Sequence, residues 1–224
     1  GDVYKRQMFI RRAGKNPQLA PVMTGSHVDT QPLGGNYDGV YGVLAGLELL
    51  RTLNDHNVET ERDVVLVNWT NEEGARFAPA MLSSGVWTGQ FSEAYAHARA
   101  DNDGTTVGEA LDSIGYRGET PARAFPVHAC YELHIEQGPI LEDEAIDIGL
   151  VRAAMGQRWF TLTLDGFAAH AGTTPMHSRR DALTAFAELA LKVEEIGYRH
   201  APDGRATIGM AKVTPNSRNV VPSR

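Results

Sequence analysis

Four short polar clusters combine histidine, aspartate and glutamate at close spacing. They are Gly-Ser-His-Val-Asp-Thr at 25–30, Gly-Asn-Tyr-Asp-Gly at 35–39, Asn-Glu-Glu-Gly at 71–74 and Glu-Leu-His-Ile-Glu-Gln-Gly at 132–138. Two hydrolytic zinc or manganese ions lie about 3.5–4 Å apart and need a bridging carboxylate, further His or carboxylate ligands and an open position for water. The clusters supply those ligand types, so they predict a two-metal hydrolytic site.

The overall composition restricts the choice of ligands and partners. Cys130 is the single cysteine of the 224 residues, which excludes an internal disulfide framework and a cysteine-based metal cluster. The net charge is −7 and the basic residues are scattered, so we expect no nucleic-acid partner. The apolar runs have the length of strands rather than of membrane spans or signal peptides. We therefore expect a cytoplasmic protein without a membrane partner.

The clusters follow elements that are typical of a parallel α/β layer. The apolar segments 22–27 and 63–69 are expected to be buried strands. Between them, apolar residues recur at the spacing of one helical face and stop at Asn54-Asp55; these residues are Val40, Val43, Leu44, Leu47 and Leu50. In such a layer, functional groups collect at the carboxyl ends of the strands, where these clusters lie.

Two further segments have local signatures of secondary structure. Thr106 and Glu109 form a capping-box pattern that predicts a short helix through Ile114. The segment 131–136 alternates apolar and polar residues, which predicts a half-buried strand. His134 and Glu136 would then lie on one face of that strand.

A change of pattern after Gly149 predicts a second, α+β unit. Two alternating runs, 159–164 and 206–213, flank an amphipathic helix expected from about 181 to 198. We place the domains at 1–152 and 153–224. Residues 1–7 have no cap and no periodicity and are expected to lie outside the fold.

Five motifs together resemble one family, the M20-like metallohydrolases. They are, in order, His27-Val-Asp29, Asp38-Gly39, Glu72-Glu73-Gly74, Glu-Leu-His-Ile-Glu-Gln-Gly from 132 and His170-Ala-Gly-Thr-Thr-Pro-Met176. The resemblance extends over nearly the whole chain from about Pro21. It is to the hydantoinase/carbamoylase branch, which includes N-carbamoyl amino acid hydrolases, ureidopropionases and allantoate amidohydrolases. It implies a di-metal α/β catalytic domain and a smaller α+β lid and dimerisation domain, both truncated here.

The resemblance also implies a set of metal ligands. His27 and His134 would bind one ion, Asp38 would bridge both ions, and Glu73 would bind the second. The ions would be zinc or manganese, or cobalt, two per subunit. Asp29 would accept a hydrogen bond from the imidazole of His27 and so orient it.

Catalytic and substrate-binding residues follow from the same resemblance. Glu72 would be the general base, and His170 of the second unit would stabilise the oxyanion. Gln137 and Asn219 would bind the substrate, and the second unit would form a homodimer. A distal histidine ligand and a carboxylate-binding arginine would lie beyond Arg224, so we expect a fragment that holds its second metal poorly.

The activity implied by the resemblance is hydrolysis of the carbamoyl or ureido C–N bond of N-carbamoyl amino acids or related small ureido compounds. This would be hydrolysis of a C–N bond other than a peptide bond. An M20 peptidase or aminoacylase is the alternative within hydrolases, and Gln137 favours the ureido-cleaving branch. An inactive truncated product or a noncatalytic interaction module is the alternative from another class.

Overall fold

The computed structural model describes residues 2–4, 7–118 and 120–224. The chain divides into two compact units, 1–150 and 151–224. Residues 2–4 and 7, which we expected to lie outside the fold, belong to strands, so that expectation is wrong for them. Gly1, Lys5 and Arg6 lie outside the described residues.

A five-stranded mixed sheet forms the centre of the first unit. Its strands are β1 (Asp2–Tyr4), β2 (Gln7–Arg12), β3 (Val22–His27), β4 (Val64–Trp69) and β5 (Ala129–Tyr131), in the spatial order β1-β2-β4-β3-β5. Strand β3 pairs in parallel with both β4 and β5, as expected of an α/β layer. Strands β1 and β2, which the sequence pattern did not reveal, add an antiparallel edge.

Helix α1 (Val40–Asp55) connects β3 to β4 and covers one face of the sheet. Alternate residues of β4 point to opposite faces, so Val64 and Leu66 pack with Leu50 of the helix. Val65 and Val67 face the other side, in a core that includes Phe9, Met23 and the partly buried aromatic residues Trp69, Trp87 and Phe125. The predicted strands and helix are confirmed, and burial on both faces explains the continuous apolar run of β4.

Three short helices share a separate apolar core. They are α2 (Leu82–Trp87), α3 (Glu93–His97) and α4 (Val107–Ser113), and their core includes Leu82, Val86 and Leu111. The predicted capping box of α4 is present. Thr106 accepts a hydrogen bond from the Glu109 N–H, and the Glu109 carboxylate accepts one from the Thr106 N–H.

The predicted strand at 131–136 is wrong beyond Tyr131. Strand β5 ends there, and the chain reaches a short helix α5 (Ile140–Asp143) through a loop. Local hydrogen bonds replace the strand ladder, because the His134 imidazole bonds the Ile135 carbonyl and the Glu136 carboxylate accepts from the N–H groups at the start of α5. The Glu136 carboxylate therefore lies against the first turn of α5 rather than beside His134 on a strand face.

The second unit has one long helix and a small sheet. Strand β6 (Ala169–His170) pairs antiparallel with β7 (Val220–Val221). Helix α6 (Ala182–Arg199) confirms the predicted helix; it is capped at its N-terminus by Asp181, whose carboxylate accepts from two backbone N–H groups. The alternating runs at 159–164 and 206–213 are fully described and contain no strand. Alternation predicts which side chains share a face, but a strand also needs a backbone partner.

Among the described helices, none combines the length and the apolar character needed to cross a membrane.

Candidate metal centre

His27 lies at the end of β3, with its imidazole against the first turn of α1. The ring packs so closely on Gly39 that a Cβ there would lie 2.4 Å from the His27 Cε1, and Gly39 has a φ of 59°. The His27 Nδ1 lies 2.7 Å from the Asp29 carbonyl oxygen, which can only accept a hydrogen bond. Nδ1 therefore carries a proton, and in the neutral ring Nε2 presents its lone pair to the site.

His134 presents its imidazole in the same tautomer. Its Nδ1 donates to the Ile135 carbonyl over 2.7 Å, so in the neutral ring its Nε2 also has a free lone pair. The two Nε2 atoms lie 3.3 Å apart. Two lone pairs at this distance cannot bond to each other, but a cation between them can bind both.

Asp38 precedes α1 and is buried, with 2% of its surface exposed. Its Oδ2 accepts a hydrogen bond from Thr30 Oγ1 over 2.7 Å. Its Oδ1 lies 3.8 Å from the His27 Nε2 and 3.5 Å from the His134 Nε2, and it is buried without a hydrogen-bond partner among the described residues. Because a buried carboxylate oxygen is costly to leave unpaired, this atom fits the position of a metal ligand.

The adjacent Glu72 and Glu73 follow β4 and are oriented through their backbone. Asn71 has a φ of 55°, and the turn it forms points both glutamate N–H groups at the Asp29 carboxylate, each over 3.1 Å. The Glu72 carboxylate lies 3.7 Å from the His27 Nε2. The Asp29 carboxylate thus holds the glutamate turn, and its backbone carbonyl rather than its side chain orients His27; the carboxylate itself is 3.9 Å from that ring.

The carboxyl groups of the site differ in their pKa values. Burial raises the pKa of Glu73 to about 7, with further contributions from Asp38 and Glu72. Burial also raises the pKa of Glu72, and the charges of Asp29 and Glu132 add to that effect. Burial opposes ionisation of Asp38, but Thr30, Glu73 and the two imidazoles hold its pKa below the ordinary value. A divalent cation would favour the charged form of all three groups.

Five of the predicted site residues of the first unit form two overlapping groups of potential ligands. The ligand atoms of His27, Asp38 and His134 lie within 4.8 Å of one another, and so do those of His27, Glu72 and Glu73. His27 is common to both groups, whereas the family resemblance makes Asp38 the shared ligand. The donor set of imidazoles and carboxylates suits zinc, manganese or cobalt, and the assignment of each residue to an ion stays a prediction.

Sequence reasoning missed the residues that support the ligands. The buried Ser26 donates a hydrogen bond to the Glu132 carboxylate over 2.5 Å, which joins the end of β3 to the loop that carries His134. Thr30 likewise donates a hydrogen bond from its hydroxyl to the Asp38 carboxylate. The only signal in the sequence was proximity to a predicted ligand, since Ser26 is adjacent to His27 and Thr30 follows it by three residues.

Gln137 lies in the exposed turn between β5 and α5. Its φ is 53°, an uncommon value for a residue other than glycine, asparagine or aspartate. Its predicted contact with substrate stays a prediction.

The second unit brings His170 and Asn219 together. The Ala171 N–H donates to the Asn219 carbonyl oxygen over 2.9 Å, and His170 pairs with Val220 in the β6–β7 register. These two predicted functional residues are therefore neighbours at one end of the small sheet.

Comparison with known proteins identifies the family of the chain. Residues 23–212 match the model of peptidase family M20/M25/M40. An N-carbamoyl-L-amino-acid amidohydrolase of Rhizobium meliloti is 48% identical over 217 residues, which are 97% of this chain and 52% of that protein. An allantoate amidohydrolase of Bacillus subtilis is 38% identical over 224 residues, covering 97% of this chain and 53% of the relative.

A solved structure shows the same fold. The crystal structure of an amidase of the hydantoinase/carbamoylase family from Burkholderia vietnamiensis superposes with a TM-score of 0.95 at 55% identity, over 99% of this chain and 54% of that one. The chain spans about half the length of the relatives it matches. The family model covers most of the chain, and the chain therefore belongs to peptidase family M20/M25/M40.

Proposed function

We propose that the first unit carries the metal centre of an amidohydrolase that cleaves the carbamoyl or ureido C–N bond of N-carbamoyl amino acids or related compounds. The observation that carries the proposal is the convergence of two imidazole lone pairs and the unpaired Asp38 oxygen beside Glu72 and Glu73. Relatives named as N-carbamoyl-L-amino-acid and allantoate amidohydrolases support the choice of substrate class.

The proposed ligands are His27, His134, Asp38 and Glu73, holding two divalent ions, of zinc, manganese or cobalt. When bound, the ions would acidify a water molecule and polarise the carbonyl of the substrate. Glu72 is the proposed general base, since its carboxylate lies at the edge of the ligand cluster and burial raises its pKa. It accepts a proton from the attacking water and returns one to the leaving nitrogen.

Cleavage of an N-carbamoyl amino acid then consumes one water and releases the amino acid, ammonia and carbon dioxide. His170 is the proposed donor to the oxyanion, and Gln137 and Asn219 are the proposed substrate contacts. Formation of a homodimer through the second unit and a cytoplasmic location stay predictions.

The test is a substrate panel. The protein, loaded with zinc or manganese, is given N-carbamoyl-L-amino acids, N-carbamoyl-β-alanine, allantoate and dipeptides, and released ammonia and amino acid are measured. Release of ammonia from one ureido substrate supports the proposal. No hydrolysis of any ureido compound, with metal bound, contradicts it.

A peptidase is the second candidate, because the matching family model describes peptidases. The same panel separates the two activities. Cleavage of dipeptides alone would favour the peptidase and would remove the support for Gln137 as a ureido contact.

A further inference from the structure

The loop that follows β6 is held by one arginine. Arg179 donates from Nε to the Thr174 carbonyl over 3.1 Å and from Nη2 to the Ala171 carbonyl over 2.6 Å. The Thr174 N–H also donates to the His170 carbonyl over 3.1 Å. The guanidinium thus joins both ends of the turn 171–174, immediately after His170.

This turn brings a backbone N–H onto the imidazole of His170. The Gly172 N–H donates to the His170 Nδ1 over 3.0 Å. A backbone N–H can only donate, so Nδ1 must offer a lone pair, and the neutral ring carries its proton on Nε2. Gly172 also permits the close approach, since a Cβ at this position would lie 3.2 Å from the His170 Cε1.

His170 is therefore in the tautomer opposite to that of His27 and His134. Those two rings bond carbonyl oxygens through Nδ1 and present lone pairs at Nε2, as metal ligands do. His170 bonds an N–H through Nδ1 and presents a proton at Nε2. The backbone partner of each ring thus distinguishes the two proposed metal ligands, His27 and His134, from His170, which is a hydrogen-bond donor.

We propose that Arg179 is a positioning residue that keeps the Gly172 N–H on the His170 Nδ1 and so maintains His170 as an Nε2–H donor. The guanidinium acts because its planar fork can hold two carbonyl groups at once, which an ammonium group at the same place does less well. The use of that donor on a substrate oxyanion rests on the proposed function, but the tautomer does not.

The tautomer is tested directly by NMR of the protein labelled with ¹⁵N-histidine, with the His170 resonances assigned from their loss in His170→Asn. We expect a protonated Nε2 and an unprotonated Nδ1 in the parent protein and a mixture of tautomers in Arg179→Gln. Arg180→Gln removes the exposed neighbouring arginine and should leave the spectrum of the parent. Protonation of Nδ1 in the parent, or an unchanged His170 in Arg179→Gln, would overturn the proposal.

Kinetics provides the second arm. On the ureido substrate identified by the panel, Arg179→Gln should lower kcat and kcat/KM by about 10- to 100-fold. A misplaced donor mainly weakens stabilisation of the transition state. Arg179→Lys should recover only part of the rate. In the His170→Asn background, Arg179→Gln should cost little more, since both act through one interaction.

The NMR and the kinetic experiments test different parts of the proposal. A merely structural arginine would give losses that multiply in the double variant, and that result overturns the positioning role. Absence of ureido hydrolysis in the parent would contradict the proposed function while leaving the NMR result to decide the tautomer.

Discussion

Glu72 and Glu73 are adjacent in sequence, but the fold gives their carboxyl groups different surroundings. Glu73 lies beside the buried Asp38, whereas Glu72 faces His27 at the edge of the ligand cluster. Both are oriented by the two hydrogen bonds from their backbone to Asp29. A single turn therefore separates a proposed ligand from a proposed base.

Glu72→Gln should retain bound metal and lose about 10²- to 10⁴-fold in kcat, because the amide cannot accept the proton of the attacking water. Metal content by atomic spectroscopy and rates on the substrate identified by the panel check this. Glu142→Gln, an exposed glutamate outside the centre, is the matched control. A Glu72→Gln variant with the rate of the parent would show that the base is another group.

Asp29→Asn should weaken metal binding by about 10- to 100-fold, as expected when a group that orients ligands is lost. The amide oxygen can accept a hydrogen bond from one of the two glutamate N–H groups, but the amide NH₂ would then face the other N–H group, which is also a donor. Titration calorimetry with zinc measures the affinity for the metal. The variant Asp147→Asn, at an exposed aspartate, is the control. Equal affinity in both variants would rule out a role for the Asp29 carboxylate in holding the site.

At the level of elements, helix α1 and the residue before it carry glycines on the side that meets the site. Gly39 packs on the ring of His27, and Gly42 lies where a Cβ would be 2.3 Å from the Leu133 carbonyl oxygen. Gly46 faces Leu66 and Thr24 of the sheet. Gly42 and Gly46 lie four residues apart on one side of the helix, and Gly39 immediately precedes its first turn. The helix can therefore approach both histidine segments closely.

Gly42→Ala should destabilise the fold by about 1–3 kcal/mol and also weaken metal binding, because the helix or the loop before His134 must move. Gly197→Ala in α6 is the control, since its new Cβ would make only contacts of 3.4 Å or more. That change should stabilise the protein by up to about 1 kcal/mol. Urea denaturation of both variants measures the free energy of unfolding, and zinc titration measures the affinity for the metal. Unchanged stability and affinity in Gly42→Ala would contradict the close packing.

At the level of the whole first unit, an ion pair between the buried Asp63 and the exposed Arg11 joins the antiparallel edge to the rest of the sheet. Asp63 immediately precedes β4 and is fully buried. Its carboxylate accepts a hydrogen bond from the Gly14 N–H and pairs with Arg11 of β2. The Gly14 N–H, together with Arg11, holds the pKa of Asp63 below its ordinary value in spite of burial.

This pair should make folding acid-sensitive. Because the pKa of Asp63 is lower in the folded protein, its contribution to stability is complete above the ordinary aspartate value of about 3.9 and is lost as the pH falls towards the folded value. Urea denaturation at several pH values between about 5 and 3 should give a shallower pH dependence for Asp63→Asn than for the parent. The exposed Asp203→Asn should behave like the parent. Identical pH dependence in Asp63→Asn would exclude this role.

The sequence alone determined the features that depend on neighbours along the chain. Hydrophobic spacing predicted β3, α1, β4 and α6, because buried side chains recur along each segment in a pattern typical of its secondary structure. The capping box predicted α4, because its two residues lie three positions apart in the sequence. The M20 motifs likewise identified the family before any geometry was known.

Only the tertiary structure decided features that depend on distant partners. The loop that carries His134 leaves the sheet after Tyr131, where local side-chain hydrogen bonds replace a strand partner. The alternating runs of the second unit form no strand. The carboxylate of Asp29 turns to the glutamate pair rather than to His27. The tautomers of His27, His134 and His170 follow from whether the fold places a carbonyl or an N–H against Nδ1, and no residue spacing contains that information.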